Sequence, residues 1–177
     1  MRRLFAVMPL LACAAACTSS PPPPAPPPPP APTTSIPPTI CSEAGFSLTA
    51  GPVEPALGHR AAVVTLTNCG TRDLIVSGYP EVAVLDTGRA PMAVTIERGS
   101  SYMAMDPGPA DHPVAPGAHL LSVLSWSNTV TYGDTATGAF VNVIPVPGEA
   151  PQLLAVDSDL GTTGKLTVTA WAPKLKT

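Results

Sequence analysis

Charge is scarce in this sequence. Only 12% of its residues are Asp, Glu, Lys or Arg, about half the usual ~25%. That excludes a long-helix or coiled-coil protein, which is rich in Glu, Lys and Arg. A basic excess is missing too. The formal net charge is −3, which argues against a nucleic-acid partner, since that needs a basic face. No window carries a sustained apolar period of 3.6, so amphipathic helices are not expected. There is no phosphate-cradling glycine loop and no dinucleotide fingerprint. Proline, by contrast, is abundant: 25 of 177 residues, against a usual share of ~5%.

These averages conceal three unlike segments. Residues 1–16 follow the plan of a secretory signal peptide. Arg2 and Arg3 are cationic, Leu4 to Leu11 is apolar apart from Pro9, and small alanines follow. The run is too short to span a bilayer, which takes ~20 apolar residues. Arg2-Arg3-Leu4-Phe5 lacks the usual flanks of a twin-arginine signal, so the general secretory route is expected. Two cysteines close the segment, in Leu10–Cys13 and Ala14–Cys17. A small residue before a cysteine, after an apolar run, resembles the bacterial lipobox, whose cysteine receives a diacylglycerol. Cys17 has the better apolar length before it and is the expected lipidation site; Cys13, with Leu10 at −3, is the alternative. Ordinary cleavage after Ala14-Ala15-Ala16, releasing a free secreted protein, is the competing reading.

Residues 17–40 are read as the lipidated N-terminus and a spacer. Twelve of the 18 positions Pro21–Pro38 are proline. Each proline fixes φ and removes a donor, so neither helix nor sheet forms. A polyproline II stalk at ~3.1 Å per residue would reach roughly 56 Å. PxxP spacing occurs without a basic flank, so an SH3 ligand is not expected.

Residues 41–173 form the expected folded domain, with 174–177 as a tail. The domain is long enough to bury a core. Short β-branched windows alternate with period 2: Ala62, Val64 and Leu66; Val82 and Val84; Val94 and Ile96; Leu120, Leu124 and Trp126; Phe140, Asn142 and Ile144; Leu166, Val168 and Ala170. Clusters such as Asn68-Cys69-Gly70, Asp86-Thr87-Gly88 and Ala115-Pro116-Gly117 separate them with turn chemistry. About eight or nine short strands predict an all-β, immunoglobulin-like β-sandwich, with a closed barrel as the alternative. Cys41 and Cys69 remain in this domain. Outside the cytoplasm they read as a disulfide. It would join the end of the linker to the end of the Ala61–Thr67 strand. Neither has a CxxC neighbour, so a zinc site is disfavoured; two buried free thiols are the other option.

Five blocks stand in a telling order: Gly58-His59-Arg60, Leu66-Thr67-Asn68-Cys69-Gly70, Gly78-Tyr79-Pro80-Glu81-Val82 with Leu85-Asp86, Val114-Ala115-Pro116-Gly117, and Leu124-Ser125-Trp126. In this order they resemble the actinobacterial secreted and lipoprotein family called domain of unknown function 4232, over the whole domain from Cys41 to Ala172. The resemblance implies an extracytoplasmic β-sandwich, often lipid-anchored behind a low-complexity linker, and no known activity. Many members carry further cysteines in the later half. This chain has none after Cys69.

Candidate chemistry is thin. His59, His112 and His119 are scattered without metal-ligand spacing. Asp111-His112 reads as a loop pair, with no nucleophile elbow to complete a triad. Asp157-Ser158-Asp159-Leu160-Gly161 resembles a fragment of a calcium loop but lacks the closing Glu, so an Asx turn between strands is preferred. Gly78 and Pro80 are expected to shape a turn under the Tyr79 ring. Trp126 is in phase with the core residues Leu120 and Leu124. Trp171 is in phase with Lys165 and Thr167 and is expected at the surface, as a pointer to a contact site. No catalytic residue, cofactor or metal is expected. The function expected is a membrane-anchored envelope lipoprotein whose non-catalytic domain meets an envelope protein or glycan. An extracytoplasmic hydrolase and a free secreted structural wall protein are the alternatives.

Overall fold

The computed structural model describes residues 40–176. The expected signal segment, both candidate lipidation cysteines, Cys13 and Cys17, and the expected linker through residue 39 lie outside them. Among the described residues there are eleven strands and no helix. The strands are β1 (Phe46–Ala50), β2 (Glu54–Ala56), β3 (His59–Asn68), β4 (Leu74–Ser77), β5 (Glu81–Leu85), β6 (Thr95–Arg98), β7 (Asp111–Val114), β8 (His119–Ser127), β9 (Thr137–Ile144), β10 (Gln152–Asp159) and β11 (Lys165–Val168).

The main sheet runs β1-β3-β8-β11-β6, with β2 added to β3. β6 and β11 pair in parallel; the other pairs of this sheet are antiparallel. A three-stranded sheet, β10-β9-β5, and the pair β4-β7 supply the facing layer. The two layers share one core. From the main sheet come Phe46, Leu48, Val64, Leu66, Leu124, Trp126, Leu166 and Val168; from the facing side come Val76, Val84, Val114, Val141, Val143, Leu154 and Val156. This is an all-β sandwich and not a barrel. Period-2 alternation is what places these residues inward, since successive side chains leave a strand on opposite faces.

The count exceeds the eight or nine strands expected from alternation. The additional ones are short and polar: β2 reads Glu-Pro-Ala and β7 reads Asp-His-Pro-Val. Their prolines are tolerated because β2 pairs only with β3 and β7 only with β4, leaving an edge where no ladder donor is required.

Three local expectations are corrected. Asp157, Ser158 and Asp159 do not form a turn; they complete β10, with Ser158 buried and both aspartates exposed. The polar residues there continue the period instead of ending it. Asp111-His112 is not a loop pair but the start of β7, opposite Ser77 and Val76. Trp171 is not at the surface: it is 0% exposed. The ladder ends at Val168, so strand phase no longer governs position 171. Its backbone N–H donates to the Gly78 carbonyl at 2.8 Å, and its indole Nε1 donates to the Pro145 carbonyl at 3.1 Å. Trp126 is core, as its phase predicts.

Cys41 and Cys69 form a disulfide with a Cα–Cα distance of 5.9 Å. Beside it the backbone N–H groups of Cys69 and Gly70 both donate to the Gly45 carbonyl at 2.9 Å. Asn68 is 0% exposed and fully engaged. Its Nδ2 donates to the carbonyls of Arg72 (2.8 Å) and Val114 (2.7 Å), and its Oδ1 accepts from the Gly70 N–H (3.0 Å). A buried amide is stable only when its groups are satisfied in this way.

Candidate functional site

β3 carries ten residues from His59 to Asn68, about 30 Å at ~3.3 Å per residue. The disulfide and Asn68 mark one pole of the sandwich. His59 marks the other, and the candidate site lies there, on the outer face of the main sheet.

Register assembles it. Ala61, Ser125, Thr167 and Glu97 are successive partners across β3, β8, β11 and β6. His59 pairs with Ser127 one step further out. Because Ala62, Leu124 and Leu166 face the core, these neighbours face outward. Small residues on this row leave a depression. The segment between β6 and β7 crosses beside it, its Met103 and Ala104 packed on Ala61 and Val123. The result is a cleft of about 210 Å³ lined by His59, Tyr102, Ser125, Ser127, Thr167 and the Glu97–Lys165 pair, among others.

The cleft has an aromatic wall and a polar floor. The Tyr102 ring stacks on His59, with centroids 4.5 Å apart and planes inclined by 18°, inside the range for offset-stacked pairs. Tyr102 is nevertheless 63% exposed. Lys165 Nζ donates to Glu97 Oε1 at 2.7 Å across the rim. Ser125 Oγ makes only a long bond, 3.5 Å, to the Thr167 carbonyl.

The crossing segment is fixed at its far end. The Tyr79 hydroxyl donates to Asp106 Oδ2 at 2.5 Å, and the Ala170 N–H donates to Asp106 Oδ1 at 2.8 Å. The Arg98 guanidinium lies 5.3 Å from the Tyr79 ring centre. The hydrogen bond to Asp106 raises the Tyr79 pKa above its ordinary value; burial and the negative charge of Asp106 add to this, and Arg98 opposes it. The phenol therefore stays a donor at neutral pH. Tyr79 reaches across to a second segment rather than packing over its own turn, although Gly78 does supply the left-handed turn residue, at φ +66°.

The loops at this pole are apolar at their tips. β2 and β3 are joined by Leu57-Gly58, both at positive φ (+45° and +81°), the signature of a type I′ hairpin. Leucine is strained there and is 88% exposed. Tyr132 and Val130, in the β8–β9 connection, are 95% and 63% exposed.

The other sequence-predicted residues are dispersed. His59 is on β3, His112 on β7 and His119 on β8. His119 pairs with Thr67, at the opposite end of β3 from His59. Among the described residues no group of three or more His, Cys, Asp or Glu side chains could hold a metal ion. A larger hollow of about 380 Å³ lies beside the disulfide, but Asn68, in its lining, already uses its amide within the fold.

The family described as Domain of unknown function (DUF4232) matches residues 41–172. The chain belongs to this family. No curated protein and no solved structure matches it. The blocks that carried the resemblance now have physical roles in this DUF4232 domain. Asn68 of the Leu-Thr-Asn block ties β3 to the segment before β4 and to the end of β7. Tyr79 of the Gly-Tyr-Pro block holds the segment that walls the cleft. Gly117 of the Pro-Gly block turns at φ +80° into β8. His59 and Ser125, from the first and last blocks, line the cleft. Sequence reasoning missed Tyr102 and Thr167 as site residues. The only available signal was an aromatic amid Gly, Ser and Met in a segment without strand alternation.

Proposed function

We propose that this chain is a lipid-anchored lipoprotein of the cell envelope and that its DUF4232 domain is a non-catalytic binding module. The observation that carries the reading is the opposition of the two poles. The disulfide bonds Cys41, the first cysteine after the proline-rich linker, to the end of β3. The cleft and the exposed loop tips are at the other end of that strand. A domain tethered at one pole presents the other. Disulfides belong to oxidising compartments, which supports an extracytoplasmic location, as does the signal plan of residues 1–16. Scattered histidines favour binding over hydrolysis, which needs an acid, base or nucleophile to converge.

Lipid attachment is tested by feeding radiolabelled palmitate to cells expressing the full chain. Label is expected in the wild type and absent from a Cys13→Ala, Cys17→Ala double variant. The single variants then assign the site, with Cys17→Ala expected to lose the label. Equal labelling of wild type and double variant ends the lipoprotein reading.

A further inference from the structure

We infer that the cleft between the main sheet and the segment 99–106 is a subsite for one neutral sugar ring of an envelope glycan. The inference gives a ligand class to the binding module proposed above and rests on that reading for the ligand's source. The size of the cleft bears on this first. At about 210 Å³ it falls below the ~300–1,000 Å³ typical of pockets for drug-sized ligands. One six-membered ring matches that scale.

The lining supplies both halves of sugar recognition. The C–H groups on one face of a pyranose carry slight positive charge and suit the negative face of an aromatic ring. Tyr102 lines the cleft, is held by its stack on His59 and still leaves most of its surface in solvent. The hydroxyls of a sugar need interleaved donors and acceptors. Ser125 and Thr167 offer both, while the Thr163 hydroxyl, which donates to the Leu160 carbonyl at 2.9 Å, and the Ser127 hydroxyl, engaged with Gly58 and Thr129, add acceptor capacity. Glu97 keeps Oε2 as an acceptor and Lys165 keeps two N–H donors after forming their mutual bond. Because those two charges are paired at 2.7 Å, neither is left to demand a counter-ion from the ligand, which selects for a neutral molecule.

The site is also pre-organised. Ser101 Oγ accepts from the N–H groups of Met103 (3.1 Å) and Ala104 (3.2 Å). The Asp106 N–H donates to Ser100 Oγ at 2.9 Å, and the Asp106 carboxylate is clamped by Tyr79 and Ala170. A wall held this way loses little entropy when a ligand arrives.

The test is ligand-observed NMR on the purified mature chain. The probes are the methyl glycosides of neutral hexoses, pentoses and N-acetylhexosamines at millimolar concentration, with an uncharged dipeptide as the comparison. Saturation transfer to at least one glycoside is expected, along with a shift in the Tyr102 ring signals. Tyr102→Ala is expected to weaken binding about fivefold to tenfold, the size of one aromatic contact, and Glu97→Gln by a smaller factor. Both side chains are exposed, so the fold survives their loss. Val130→Ala, on another loop, is expected to leave binding unchanged. Transfer to the dipeptide but to no glycoside overturns the inference, as does glycoside binding unaffected by Tyr102→Ala. Palmitate labelling reads the anchor independently, so failure of the cleft and failure of the tether are separately visible.

Discussion

The two poles of this sandwich are built on opposite principles. At the disulfide pole, polar groups are buried and satisfied. Asn68 spends its amide on three backbone partners, Gly45 and Gly70 approach closely enough that a Cβ on Gly70 would lie 3.2 Å from the Gly45 Cα, and a covalent bridge closes the end. At the cleft pole, aromatic and aliphatic side chains stand in solvent, small hydroxyl residues line a hollow, and a leucine sits in a left-handed turn position. One end is optimised for holding. The other accepts local cost, the usual mark of a recognising surface.

Substitutions can break this contrast, and the largest effect is expected at the disulfide pole. A Cys41→Ser, Cys69→Ser variant reopens a loop of sequence separation 28. It is expected to lose ~3–4 kcal/mol on the chain-entropy model, read by denaturant titration under oxidising conditions. Reductant should bring the wild type to the same midpoint. Asn68→Ala comes next, at about 1–3 kcal/mol, since it strands the buried Val114 carbonyl and removes the bonds to Arg72 and Gly70. Neither change should abolish ligand binding to the fraction that remains folded.

For the wall of the cleft and the loops of its pole the effects are smaller. Tyr79→Phe removes the bond to Asp106 and is expected to cost about 1 kcal/mol, less than the ~1.5–3 kcal/mol of a bond to a charged group because the pair is only half-buried. Its pH dependence identifies it. The Tyr79 pKa is raised in the folded state above its ordinary value of 10.0. The bond therefore contributes fully below about pH 10 and is lost as pH rises through the folded value. The gap between wild type and variant should stay constant at neutral pH and close in alkali. Stability against pH, measured on both, checks this. Last, Leu57→Asn suits the positive φ of the hairpin turn and is expected to gain about 0.5–1 kcal/mol, read as a raised melting temperature. A loss instead would mean that Leu57 is not strained.

Much of the inner face was legible in the chain. Ala62, Val64, Leu66, Leu166 and Val168 are buried in the phase their spacing predicts, because a paired strand transmits its period to every side chain. Where pairing stops, so does legibility. Trp171 lies beyond the end of β11, and its burial was misassigned for that reason. The opposite error occurred at Asp157–Asp159, where residues that suit a turn continue a strand, Asp157 and Asp159 exposed on either side of the buried Ser158. The cleft was not legible at all. His59, Tyr102, Ser125 and Thr167 come from three strands and a connecting segment, and nothing in their spacing relates them.

By itself, then, the amino-acid sequence determined the class of fold and the family. These follow from local patterns: period-2 alternation and short ordered blocks. Only the tertiary structure decided where Trp171 lies, what Tyr79 and Asn68 hold, and that one outer face opens into a lined cleft. Those outcomes depend on strand register and on which segments cross which face, and such long-range pairings are written in no single window of the chain.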